Sequence, residues 1–135
     1  MLIKTLNQTI EVLDNLISLT KEDIENIKEA KHEKVFSNTQ QKEKLANEFY
    51  NLKNEIDIIL SSRNVSIDKL FSKEEEELFN IFKTKLFEFN SLHKRFSKLA
   101  LSVANFYNTL INKIHQGETV NYNEKFSPSH LQIKA

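Results

Sequence analysis

Residues 72–116 read SKEEEELFNIFKTKLFEFNSLHKRFSKLALSVANFYNTLINKIHQ, and their pattern decides the fold. The apolar positions run Leu78, Phe82, Leu86, Phe89, Leu92, Phe96, Leu99, Val103, Phe106, Leu110 and Ile114. Successive gaps are threes and fours without a break, which puts all of these on one stripe of an α-helix. At 1.5 Å per residue, a helix of about 45 residues spans roughly 65 Å. It needs partners lying along it, and the rest of the chain reads as those partners. Ser72 and Glu75 form a capping box, in which the hydroxyl accepts from the Glu75 amide and the carboxylate reaches back to the Ser72 amide. Glu74–Glu77 place negative charge where the helix dipole favours it. Gly117, the single glycine, follows the last stripe residue, and a left-handed C′ position there would end the helix.

Upstream, Ile3, Leu6, Ile10, Leu13, Ile17, Thr20, Ile24 and Ile27 make a heptad stripe over a first helix of about 2–30. Glu11, Asp14, Lys21, Glu22, Glu25 and Lys28 form its solvated face. A second stripe follows in a phase shifted by four residues: Val35, Asn38, Lys42, Leu45, Phe49, Leu52, Ile56, Ile59. The shift fits a stutter in one continuous helix or a tight turn between two. Two helices are favoured, broken within Lys31–Ser37, with a cap in Ser37–Gln40 and the second helix running about 35–62. Residues 61–71 read as a loop, with one helical turn near Ser66–Leu70. Val65, Ile67, Leu70 and Phe71 are expected to fold over the end of the bundle. The expectation is an all-α fold. Three long antiparallel helices make a coiled-coil bundle over 1–116, followed by a flexible tail over 117–135. The tail carries only five apolar residues, Val120, Tyr122, Phe126, Leu131 and Ile133. Their burial would return less than the entropy of ordering the segment.

Composition limits the function. Lys and Arg equal Asp and Glu at 19 each, so no basic excess argues for nucleic acid. Cysteine is absent, which removes disulfides, thiolate nucleophiles and zinc ribbons. No apolar run approaches the roughly 20 residues of a membrane span, and Met1-Leu2-Ile3-Lys4 does not open a secretory signal. A cytoplasmic location is expected. The histidines, His32, His93, His115 and His130, form no metal-binding or catalytic spacing. Glu74–Glu77 point in four directions, so capping explains them better than a cation site. Neither a catalytic residue, a metal site nor a cofactor is expected, and the chain does not read as an enzyme. Phe49, Phe82, Phe89, Phe96 and Phe106 fall on the stripes, where core packing accounts for them.

One surplus remains. On the long helix Phe79, Ile81, Phe87, Leu101, Tyr107 and Ile111 are apolar but lie beside the main stripe. Toward its C-terminus Val103, Phe106, Tyr107, Leu110, Ile111 and Ile114 lack an intrachain partner of matching length. The widened arc fits a helix that faces two neighbours at once in a three-helix arrangement, or a groove that takes an amphipathic helix from another protein.

A leucine/isoleucine-rich first helix, Lys42-Glu43-Lys44-Leu45 in the second, a long third helix, and Thr119-Val120-Asn121-Tyr122 opening the tail together resemble the FlgN family of flagellar export chaperones. The resemblance covers nearly the whole chain through diffuse motifs. It implies a non-enzymatic cytoplasmic protein that holds the terminal helices of hook–filament junction proteins, prevents their premature assembly, and delivers them to the type III export gate. It also implies that the client binds the C-terminal part, matching Val103, Phe106, Tyr107, Leu110, Ile111 and Ile114, and that Tyr122 docks on the export gate. Two alternatives stand beside it. One is a homodimeric coiled-coil adaptor unrelated to secretion, and the other is a type III chaperone with a different client, such as the filament cap.

Overall fold

The computed structural model describes residues 1–118. Its helices are α1 (Leu2–Lys28), α2 (His32–Ser62) and α3 (Lys73–Glu118), with a short 3₁₀ turn, Ile67–Lys69, between the last two. No strand occurs among the described residues. The chain divides into two units, Met1–His93 and Lys94–Ala135, so the division falls inside α3.

In the first unit α1 is the most deeply buried helix. Of the heptad stripe, Leu6, Leu13, Ile17, Thr20, Ile24 and Ile27 are buried, while Ile3 and Ile10 are half-buried; Leu2 and Leu16, off the stripe, are buried as well. Thr5, Thr9, Val12 and Asp23 are buried beside it, so the covered arc is wider than one seam. The buried threonines cost little, because each hydroxyl donates to the carbonyl four residues back. Thr9 reaches Thr5 O and Thr20 reaches Leu16 O, both at 2.7 Å. Leu2, Leu6 and Leu13 cluster with Ile56 and Phe82, while Val12 and Leu16 pack on Leu45. Early α1 thus meets late α2, and successive helices run antiparallel. Two ion pairs tie α1 to the start of α3: Lys85–Asp14 at 2.8 Å and Lys21–Glu88 at 3.4 Å. Asp14 holds the Lys85 ammonium above its usual range through this hydrogen bond and its charge. On α2 only Leu45 and Ile56 are fully buried, so α2 is an outer helix whose stripe is half-covered.

α1 and α2 are separate helices, and the break lies at Glu29–Lys31, earlier than Lys31–Ser37. Ala30 takes the left-handed conformation, φ 60°. Its amide donates to Ile27 O at 3.1 Å, and the Lys31 amide donates to Asn26 O at 2.7 Å. These two bonds are the Schellman pair, formed here on an alanine. α2 therefore starts at His32, and Ser37 lies within it, donating to Lys34 O instead of capping. At the far end α3 continues through Gly117 to Glu118, so the left-handed glycine expected there is not formed.

The polar positions of the second stripe have a partner that their spacing does not reveal. Asp23, 1% exposed, accepts from Asn38 Nδ2 and Lys42 Nζ, each at 2.9 Å. Its two oxygens thus clamp the start of α2 onto α1.

The capping box forms as read. The Ser72 amide donates to Glu75 Oε1 at 2.9 Å, and the Glu75 amide to Ser72 Oγ at 3.2 Å. Arg63 extends it, with two guanidinium nitrogens on the two Glu75 oxygens, both at 2.7 Å. The same guanidinium donates to Leu70 O at 2.7 Å. One carboxylate therefore fastens the end of α2, the loop and the start of α3. Of the loop's apolar residues, Leu70 and Phe71 are half-buried, and Phe71 stacks on Phe79 at 4.9 Å. Val65 and Ile67 are exposed, contrary to the expected fold-over, since only Leu70 and Phe71, at the end of the loop, reach the bundle.

Candidate functional site

In the second unit residues 94–118 continue as helix. Of the six residues expected to bind a client, Phe106 is 63% exposed, Ile114 51%, Tyr107 44% and Leu110 42%. Val103 and Ile111 are half-buried. Phe106, Leu110 and Ile114 follow one another at four-residue spacing, about 6 Å per step along the axis. Tyr107 meets the edge of Phe106, with centroids 5.7 Å apart at 67°. At 100° per residue, Val103, Phe106, Tyr107, Leu110 and Ile114 share an arc of roughly 100°. This is the geometry of a row of anchors for an incoming apolar helix face. Phe106, expected to serve as core by its place on the stripe, is instead one of its most exposed members. The off-stripe residues Ile81, Phe87 and Leu101 are also exposed, whereas Phe79 is half-buried against Phe71 and Phe82.

The opposite side of the same helix is covered. Ala104 is 5% exposed and Asn108 3%. Sequence reasoning missed this face, because alanine and asparagine do not register as stripe residues. Tyr122 and the tail beyond Glu118 lie outside the described residues.

Among the described residues, the polar groups are held in structural contacts. Glu75 is the most perturbed carboxyl, held at about 2 against an ordinary 4.5, first by the Arg63 hydrogen bonds and then by the Ser72 contacts, against the opposing effect of burial. Both its oxygens are committed to Arg63, and Oε1 also takes the Ser72 amide, so it is a fastener and not an acid or base on call. A groove of about 390 Å³ runs between α1 and α2, lined by Gln8, Glu11, Asn15, Glu48, Asn51, Val12 and Leu52. It offers carboxamides and two carboxylates without a nucleophile and base in reach of each other. No group of three or more His, Cys, Asp or Glu residues among those described is placed to hold a metal ion. His93 packs on Phe89 at 5.7 Å. No described helix is long and apolar enough to cross a membrane.

The fold and site thus define a three-helix, all-α protein with an exposed apolar row on its longest helix. The chain matches no family model, no curated protein and no solved structure.

Proposed function

We propose that this protein is a cytoplasmic export chaperone of the flagellar type III apparatus, similar to the FlgN family, which binds the terminal helices of hook–filament junction proteins. The observation that carries the reading is the row Phe106, Leu110 and Ile114, each more than two-fifths exposed on one line of α3. Large apolar residues in line on a helix are costly to leave in water and are characteristic of a docking face. Client helices that assemble through apolar faces are chemically matched to it. The chaperone covers those faces until delivery, which prevents premature association. A shallow row gives moderate, reversible affinity, as release at the export gate requires. Tyr122, carried over from the resemblance, is the residue assigned to gate docking. No covalent step or cofactor enters this account.

The test is capture of hook–filament junction proteins by this chain. Wild-type protein should retain them, and Leu110→Asp should not, while far-ultraviolet circular dichroism stays unchanged. If both forms bring down only further copies of this chain, the homodimeric adaptor is the correct reading. Retention of a filament-cap protein instead would leave the class standing and change the client.

A further inference from the structure

Lys and Arg equal Asp and Glu over the whole chain, yet between Glu88 and Glu118 it carries Lys94, Arg95, Lys98 and Lys113 and no acidic residue. All four cations are exposed on α3. At 100° per residue, Arg95 and Lys113 lie about 20° from Phe106 and Lys98 about 80°, all on the side away from Leu110 and Ile114. Ser102 and Thr109, exposed on the same flank, carry no charge. The docking row therefore has a cationic edge along one side. Beyond its other side lie Ala104 and Asn108, which are buried. From Arg95 to Lys113 the edge is about 27 Å long, the length of a helix of about 18 residues.

We propose that the occupant of the row is an amphipathic helix of another protein whose apolar face is edged by Asp and Glu. This deepens the docking reading and rests on the row Phe106, Leu110 and Ile114, whichever protein supplies the helix. Apolar contact is non-directional, so the row alone accepts any helix with a leucine-rich face. The cations discriminate among such helices. Arg95, Lys98 and Lys113 attract an acidic edge and repel a basic one, and repulsion of the wrong partner adds to the selectivity. Each exposed pair is weak by itself, but the two partners differ in sign at all three positions. A lipid surface fits the arrangement less well. A helix lying in a membrane interface carries its cations on the polar face, away from the apolar one. Here Arg95 and Lys113 sit beside Phe106, where they meet the flank of a packed helix.

Two designed helices of about 18 residues, identical along a leucine face and edged by Glu in one and by Lys in the other, are titrated against the full chain by fluorescence anisotropy. The Glu-edged peptide should bind at least about tenfold more tightly, and the preference should vanish near 1 M salt, where charges are screened beyond about 3 Å. With Arg95→Glu, Lys98→Glu and Lys113→Glu combined, the order of the two peptides should reverse. Should that variant lose helicity, the three glutamine replacements should abolish the preference instead. Phe106→Asp should weaken both peptides at least about tenfold. Equal affinity for the two peptides, lost in Phe106→Asp, overturns the acidic partner and leaves the docking row standing. Binding that Phe106→Asp does not change overturns both. A preference that survives the charge changes, or no binding of either peptide, also overturns the proposal. Tighter binding to phosphatidylserine vesicles than to the Glu-edged peptide, lost on charge reversal, would assign the cations to a lipid surface.

Discussion

Replacing Glu75 by glutamine removes the charge that fastens the end of α2 to the start of α3 while keeping the side chain's shape. The wild-type carboxyl sits at about 2 instead of 4.5. At 1.36 kcal/mol per pH unit that difference corresponds to roughly 3 kcal/mol of stability. Arg63 is 29% exposed, so water takes up part of its charge and about 2–3 kcal/mol is the expected loss. The sign follows from the lowered value. The unfolded chain binds the proton more readily, so the stabilisation is complete above pH 4.5 and fades as pH falls toward 2. Urea unfolding of both proteins from pH 7 to pH 2 isolates this contribution, because the other carboxylates are common to both. The gap should be steady from pH 7 to about 5 and close as Glu75 protonates. A gap below about 0.5 kcal/mol at pH 7, or one of constant size across the range, would refute the reasoning.

Two further substitutions test the α1–α2 junction. Ala30→Gly relieves a left-handed alanine in the Schellman turn and should stabilise the chain by about 0.5–1 kcal/mol, read as a rise in the urea midpoint with unchanged slope. A drop would mean that the turn is not left-handed in solution. Asp23→Ala leaves Lys42 and Asn38 without their shared acceptor in the α1–α2 interface and should cost about 3 kcal/mol. The double variant Asp23→Ala, Lys42→Met should recover part of that loss; an equal or larger loss would show that the pair is not what makes the position sensitive.

The helical stripes were legible in the sequence because periodicity reports the apolar face of a helix directly, whether that face is buried, as on α1, or partly exposed, as on α2 and the end of α3. The capping box was legible because its partners are three residues apart. Arg63 was not, since its pairing with Glu75 joins residues twelve apart across a loop. Asp23 escaped for a related reason. Its burial depends on Asn38 and Lys42, two polar positions that break the apolar pattern of α2 and read in isolation as weak spots in the stripe. Gly117 drew the helix end toward itself by residue type, yet the left-handed residue among those described is Ala30, whose conformation is imposed by hydrogen bonds and not by side-chain preference. On the candidate site, the exposed row was visible as apolar surplus. The covered face at Ala104 and Asn108 was not, because a small residue and an amide carry no hydrophobic signal.

The central claim is that Phe106, Leu110 and Ile114 form a docking row. Isothermal titration of a junction-protein terminal helix into the full chain and into its Phe106→Asp variant tests it most directly. A buried aromatic anchor contributes about 2 kcal/mol or more, so affinity should fall at least about 30-fold with helicity and melting temperature retained. Equal affinity for the two proteins would contradict the account and move the binding site off this row.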